Sequence, residues 1–201
     1  MSMRRAVFLD RDGTPNEDRD FLREPAEVQS IPGVIESLKR LAHRYLLFPV
    51  TNQTGVGYGA ITMSEVDTLN RHLLEIFAAR GVDMAGVFVC PHTRKDGCAC
   101  IEPRPCFLEK ATRDYALDLY SSSVIGDHSH DVDFARNAGV CGVYVLTGHG
   151  VKPRNELTDD TLIFPGIEEA AEWIGAKDAV SARSCPASPD TTATKGDGAN
   201  G

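Results

Sequence analysis

Short apolar runs alternate along the chain with stretches in which apolar residues recur every three or four positions. Residues 6–9 form a short apolar run that ends in the polar turn Asp10, Arg11, Asp12, Gly13, which predicts a buried strand opening into a loop. Val34, Ile35, Leu38 and Leu41 then recur at helical spacing behind Pro32 and Gly33, a helix start. Residues 45–50 give a second strand. Thr62 and Glu65 have capping-box spacing, and Val66, Leu69, Leu73, Ile76 and Phe77 continue one helical face up to Gly81. Residues 87–89 and 123–125 predict further strands, and 143–146 another. Helical patterns cover 107–117 and 131–138, and a sixth strand at 162–164 precedes a helix ending near Trp173. Strand and helix in this alternation predict an α/β fold, a Rossmann-like parallel sheet with helices on both faces. In such sheets ligands bind beyond the carboxyl ends of the strands.

Composition narrows the function. Of 201 residues, 21 are Lys or Arg and 29 are Asp or Glu, a formal charge of −8. A general nucleic-acid binder presents a basic face, so that class is not expected. No uncharged apolar run approaches the roughly 20 residues of a membrane helix. Between its two arginines and Asp10 the N-terminus has only the four apolar residues 6–9, short of the roughly 7–15 of a signal peptide. A cytoplasmic protein without a membrane partner is expected. From residue 177 almost no large apolar side chain occurs, so residues 1–176 are expected to form one domain and 177–201 a disordered tail. Without a long apolar surface pattern, a monomer is expected.

The chemistry-bearing residues follow the strands. Asp10 and Asp12, two positions apart at a strand end, can face one point if the chain turns at Gly13. One carboxylate then serves as nucleophile or metal ligand while the other transfers a proton; a plain polar turn is the alternative. A second acidic pair, Asp127 and Asp131, follows another strand. Carboxylates converging without basic partners repel, and a hard divalent cation such as Mg2+ resolves the repulsion. Cys90, His92, Cys98 and Cys100 lie within eleven residues. Three thiolates and an imidazole at this spacing can close a tetrahedral shell around Zn2+, making a structural zinc-binding loop; buried free cysteines are the alternative. Cys106, Cys141 and Cys185 fall outside the spacing and receive no role.

Asp10-Arg11-Asp12-Gly13-Thr14, Val50-Thr51-Asn52-Gln53 and Gly126-Asp127-x-x-x-Asp131, in this order and spacing, resemble the haloacid-dehalogenase-like phosphatases. Within that superfamily the sequence is most similar to the subfamily of D-glycero-D-manno-heptose 1,7-bisphosphate phosphatases and histidinol-phosphate phosphatases. The resemblance implies that Asp10 attacks phosphorus and forms an aspartyl-phosphate, while Asp12 protonates the leaving oxygen and then activates water. It implies magnesium at Asp10, Asp12 (through its backbone carbonyl) and Asp127. Thr51 and Asn52 would hold the phosphoryl group, with Gln53 and Thr54 beside them. Asp18 would sit at the rim of the substrate entrance, in a segment running to Phe21, and the subfamily carries the same zinc loop. With no cap-sized insertion between the motifs, a small phosphorylated metabolite is the expected partner.

Positive charge is where this chain departs from the resembled pattern. An Arg-Lys-Pro run normally follows the last zinc cysteine, and Ile101-Glu102-Pro103 stands here. Tyr58 and His128 stand where an arginine and a lysine are common. Arg104 and His128 are the expected substitutes for the missing lysine. Asn52-Gln53-Thr54-Gly55 is more similar to the heptose branch and points to removal of the 7-phosphate of the heptose bisphosphate. An acid at 102 suits an amine-bearing substrate, which keeps histidinol phosphate open, and the loss of the motif lysine keeps open a degenerate member that binds without turnover.

Overall fold

The computed structural model describes residues 3–17, 24–25, 28–151 and 156–177. Six strands, β1 (Ala6–Asp10), β2 (Leu46–Asn52), β3 (Phe88–Cys90), β4 (Ser123–Gly126), β5 (Cys141–Val145) and β6 (Leu162–Phe164), form one sheet in the order β3-β2-β1-β4-β5-β6. Every pairing is parallel. The helices are α1 (Val34–Ala42), α2 (Thr54–Gly57), α3 (Met63–Ala78), α4 (Cys106–Tyr115), α5 (Ser129–Asn137) and α6 (Ile167–Lys177).

Side chains of period two divide the core. Val7 and Leu9 of β1 pack in one apolar layer with Leu38 of α1, Phe77 of α3 and Ile174 of α6. Ala6 and Phe8 point the other way, into a layer with Leu108 of α4 and Phe134 of α5. Both faces of β1 are therefore covered, which is why its sequence is continuously apolar rather than alternating. Phe8 stacks on Phe48 of β2, with ring centroids 5.3 Å apart. At the start of α3 the Thr62 hydroxyl accepts from Glu65 N at 3.2 Å, and the Glu65 carboxylate accepts from Thr62 N at 2.7 Å, the reciprocal cap that fixes where this helix begins.

Strand bounds differ from the sequence expectation mainly at the carboxyl ends. β2 continues through Thr51 to Asn52 because Asn52 still pairs with Cys90 of β3. β1 likewise continues to Asp10, opposite Val50. The four-residue α2 carries no apolar period and had no signal. The chain leaves β1 toward β2 on one side, and β4 lies on the other, so the strand order reverses between β1 and β4. This is the crevice where an open parallel sheet binds ligands. Among the described residues no cap-sized domain interrupts the strands, and no helix is long and apolar enough to cross a membrane. The tail expected after residue 177 lies outside the described residues.

Candidate active site and metal cluster

Asp10 ends β1 and Asp127 directly follows β4, its neighbour in the sheet. The register pairs Leu9 with Ile125, so the two aspartates emerge side by side at the reversal point. Carboxylate oxygens of Asp10, Asp127 and Asp131 all lie within 4.8 Å of one another. Asp131 comes from the first turn of α5, where it also accepts from His128 N at 2.8 Å. Asp127 is held from two sides. Gly13 (φ 86°) and Gly148 (φ 46°) press their backbones against its carboxylate, and a Cβ at either position would collide with it. One oxygen of Asp127 accepts from His149 N, while Oδ1 is buried without a hydrogen-bond partner. An orphaned, buried carboxylate oxygen is costly unless a cation completes it. The all-oxygen donor set fits a hard divalent ion.

The electrostatics agree. Burial, then Asp131, Glu102, Asp127 and Asp12, drive the Asp10 carboxyl well above its ordinary range. Asp131 is raised by burial and then by Glu102, and Asp127 is raised by burial. Glu102, 4% exposed, is pushed up to about 7 by burial. Among the described residues these groups crowd one point with His128 and His149 the only basic groups acting against the rise, at Asp127, and a divalent cation relieves that crowding.

Asp12 is oriented by a different set of contacts. Its Oδ2 accepts from Arg11 Nη2 at 2.7 Å, Gln53 Nε2 at 3.1 Å and Thr51 Oγ1 at 3.2 Å. Oδ1 accepts from Asn16 Nδ2 at 3.0 Å. Arg11 is itself buried and donates to Asn70 Oδ1 at 2.8 Å, so Asp12 rests on a fixed scaffold. Sequence reading missed Arg11 and Asn16 in this role, since neither has a strand or helix period to betray it.

A cavity of about 410 Å³ opens over these acids, and Thr51, Asn52, Gln53 and Thr54 line it along the end of β2 and the start of α2. Asn52 Nδ2 donates to Glu102 Oε2 at 2.6 Å, and Glu102 N approaches Asn52 Oδ1 at 3.4 Å. The residue in the lysine's place thus faces into the site. His128 lines the cavity as expected. Arg104 does not: its Nη1 donates to the carbonyls of Gly97 and Cys98, each at 2.7 Å, so it braces the cysteine loop instead of replacing the lysine. Arg94, His130 and His149 do line the cavity and were not anticipated, because only the tertiary fold brings their loops together. Asp18 and its neighbours through Phe21 lie outside the described residues.

Next to the cavity, Cys90, at the end of β3, presents Sγ 3.9 Å from both His92 Nδ1 and Cys98 Sγ. These three ligand atoms form a second metal-capable group. Cys100, expected as the fourth member, is instead bonded to Cys106. The reason is local: α4 begins at Cys106 and brings its Cα to 5.0 Å from that of Cys100. Cys100 N still donates to Cys98 Sγ at 3.4 Å, so the backbone of residue 100 stays at the edge of the group. Burial pushes the Cys90 thiol up to about 11, a shift that coordination by a cation reverses.

Known proteins decide the family. D-glycero-beta-D-manno-heptose-1,7-bisphosphate 7-phosphatase of Escherichia coli (strain K12) is 35% identical over 178 residues, spanning 84% of this chain and 87% of that protein. The chain belongs to the haloacid-dehalogenase-like hydrolases. The HAD-hydrolase-like family model matches residues 100–170. The phosphatase of the same name from Photorhabdus laumondii is 36% identical over 167 residues, covering 79% of this chain and 89% of its own. Among solved structures, the D,D-heptose 1,7-bisphosphate phosphatase of B. bronchiseptica complexed with magnesium and phosphate superposes with a TM-score of 0.80 at 29% identity. It covers 86% of this chain and 99% of its own. With these phosphatases as its relatives, the chain is classed as a phosphatase of the superfamily, a hydrolase acting on phosphoric monoesters.

Proposed function

We propose that this haloacid-dehalogenase-like phosphatase removes the 7-phosphate of D-glycero-D-manno-heptose 1,7-bisphosphate, with magnesium, through an aspartyl-phosphate on Asp10. The observation that carries this reading is the buried, unpartnered Asp127 Oδ1 set beside Asp10 at the sheet reversal. It is supported by relatives of that activity that cover most of the chain. Asp10, Asp127 and the backbone of Asp12 would hold the magnesium, with Asp131 alongside. When bound, the ion neutralises the carboxylates and the charge on the transferring phosphoryl oxygens.

The chain's own residues carry the chemistry. A carboxylate oxygen of Asp10 attacks phosphorus as the phosphorus–oxygen bond to the sugar breaks, and Asp12 gives its proton to the departing sugar oxygen. Asp12, now ionised, takes a proton from water. That water oxygen attacks phosphorus, and phosphate leaves with Asp10 restored. Arg11, Thr51 and Gln53 position Asp12 for both proton transfers. Thr51 and Asn52, which line the cavity, would be the neutral donors to the phosphoryl group.

Cys90, His92 and Cys98 would hold a structural zinc, with Cys100 as fourth ligand in the reduced protein. Soft sulfur and imidazole donors favour that metal over magnesium. It would pin the loop that forms one wall of the cavity.

The test is magnesium-dependent phosphate release from the heptose bisphosphate, with the Asp10→Asn variant as control. Glu102 favours histidinol phosphate as the second reading, because a buried acid in the cavity suits an amine-bearing substrate. Comparing kcat/KM for the two substrates separates them.

A further inference from the structure

Among the described residues that line the cavity, the fixed charges are carboxylates with one exception, Arg94. Its backbone belongs to a firmly held turn. The Thr93 hydroxyl and N–H both bond the Asp96 carboxylate, at 2.8 and 2.7 Å, and Thr93 is buried against the backbone of Gly57 in α2. The guanidinium reaches from this turn to the start of α5. There Nη2 meets His130 Nε2 at 2.7 Å, across 36 residues of sequence. Arginine can only donate, so the imidazole nitrogen accepts. His130 in turn stacks on His128, with centroids 5.4 Å apart and planes 11° from parallel. Arg94 makes no ion pair with a carboxylate among the described residues, and one of its five N–H groups is engaged.

From this geometry we propose that Arg94, held by His130, binds a second anionic group of the substrate, a phosphate or carboxylate remote from the phosphoryl group that Asp10 attacks. The proposal deepens the phosphatase reading and rests on it for the identity of the scissile phosphate. Guanidinium suits this task because its planar fork meets phosphate or carboxylate oxygens in pairs. Among the described residues, the wall where Ile101 and Glu102 stand has no cation to share the work. A substrate with two anionic ends would thus lie with one end over the acids and their metal and the other under Arg94. His130 is a positioning residue: it fixes the direction of the fork.

The experiment is calorimetric binding to the full-length, magnesium-loaded Asp10→Asn protein, with and without Arg94→Ala. The ligands are heptose 1,7-bisphosphate and heptose 7-phosphate. Arg94→Ala is expected to weaken the bisphosphate about tenfold, the scale of one charge-assisted contact, and to leave the monophosphate within about twofold. In the same background His130→Ala gives part of that selective loss, and His130→Gln, which keeps an acceptor, restores it. Equal weakening of both ligands, or of neither, overturns the proposal. Turnover by the wild-type enzyme is measured separately. If it hydrolyses no phosphomonoester, the phosphatase reading fails while the binding comparison still judges Arg94.

Discussion

Asn52 and Glu102, fifty residues apart, hold each other at 2.6 Å through Nδ2 and Oε2, which fixes a carboxylate in the wall of a cavity built to receive phosphate. Glu102 therefore opposes the substrate it faces. At an effective dielectric near 20, two unit charges about 4 Å apart interact by about 4 kcal/mol, and distance and counter-ions reduce this. Glu102→Gln keeps the partner of Asn52 and removes the charge. It is expected to raise kcat/KM for a doubly charged phosphate ester about tenfold, read from steady-state kinetics. A decrease would show that the acid assists the substrate, as an amine-binding group would.

The same residue predicts a pH dependence. Burial raises the Glu102 carboxyl to about 7, so the folded protein holds a proton that the unfolded chain releases nearer its ordinary value. Between roughly pH 4.5 and pH 7 the folded state binds more protons, and stability falls as pH rises. The favourable contribution is complete below about 4.5 and gone above about 7. Some 2.5 pK units correspond to about 3 kcal/mol. Denaturant melts of metal-free protein at pH 5 and pH 8 should show this loss together with that from Asp10, Asp127 and Asp131, whose carboxyls are also raised, and Glu102→Gln should lessen it.

Magnesium should stabilise the protein by an amount that grows with the logarithm of its concentration above Kd. At a hundredfold excess over Kd the gain is about 2.7 kcal/mol, or about 5–10 °C in Tm for a chain of this size. Asp127→Asn should abolish the magnesium-dependent rise while leaving the metal-free Tm equal or higher, because a buried charge has been removed. Differential scanning calorimetry with and without magnesium reads both effects.

Gly13 carries a second, sharper consequence. At φ 86°, with the Asp127 carboxylate against its Cα, it leaves no room for a methyl group. Gly13→Ala is expected to cost about 1–3 kcal/mol through the left-handed backbone and the clash. It should also lower kcat at least tenfold by displacing the carboxylate, with chemical denaturation and kinetics measured on the same sample. Gly139→Ala, at φ 68° with open space around it, should lose stability alone.

At the sulfur cluster, elemental analysis of protein purified under reducing conditions should find about one zinc per chain. Cys98→Ala should lose it and lower Tm by about 5 °C or more, as expected for loss of a structural ligand worth at least 2 kcal/mol.

Much of this arrangement is legible in the chain itself. The continuous apolar runs of β1, β2 and β4 announce strands buried on both faces, and acids placed just after such strands must meet at the sheet's carboxyl edge. Asp10, Asp12 and Asp127 are readable for that reason, and so is the group of Cys90, His92 and Cys98. What escapes is whatever depends on where a loop turns. Arg94 and His130 are unremarkable apart and meaningful only when β3 and β4 carry their loops to the same cavity. Arg104 looks like the missing cation by proximity in sequence, yet the carbonyls of Gly97 and Cys98 lie nearer than the cavity. Cys100 fits the ligand spacing, but the first turn of α4 offers Cys106 closer at hand. Spacing states which groups can meet, and packing chooses among them.

The claim on which the account turns is that Asp10 carries the phosphoryl group. The direct measurement is acid quench of the wild-type enzyme during turnover, followed by borohydride reduction and peptide mass spectrometry. The account predicts homoserine at position 10, formed from the aspartyl-phosphate and absent without substrate. Homoserine at another aspartate, or undiminished phosphate release by Asp10→Asn, would contradict it.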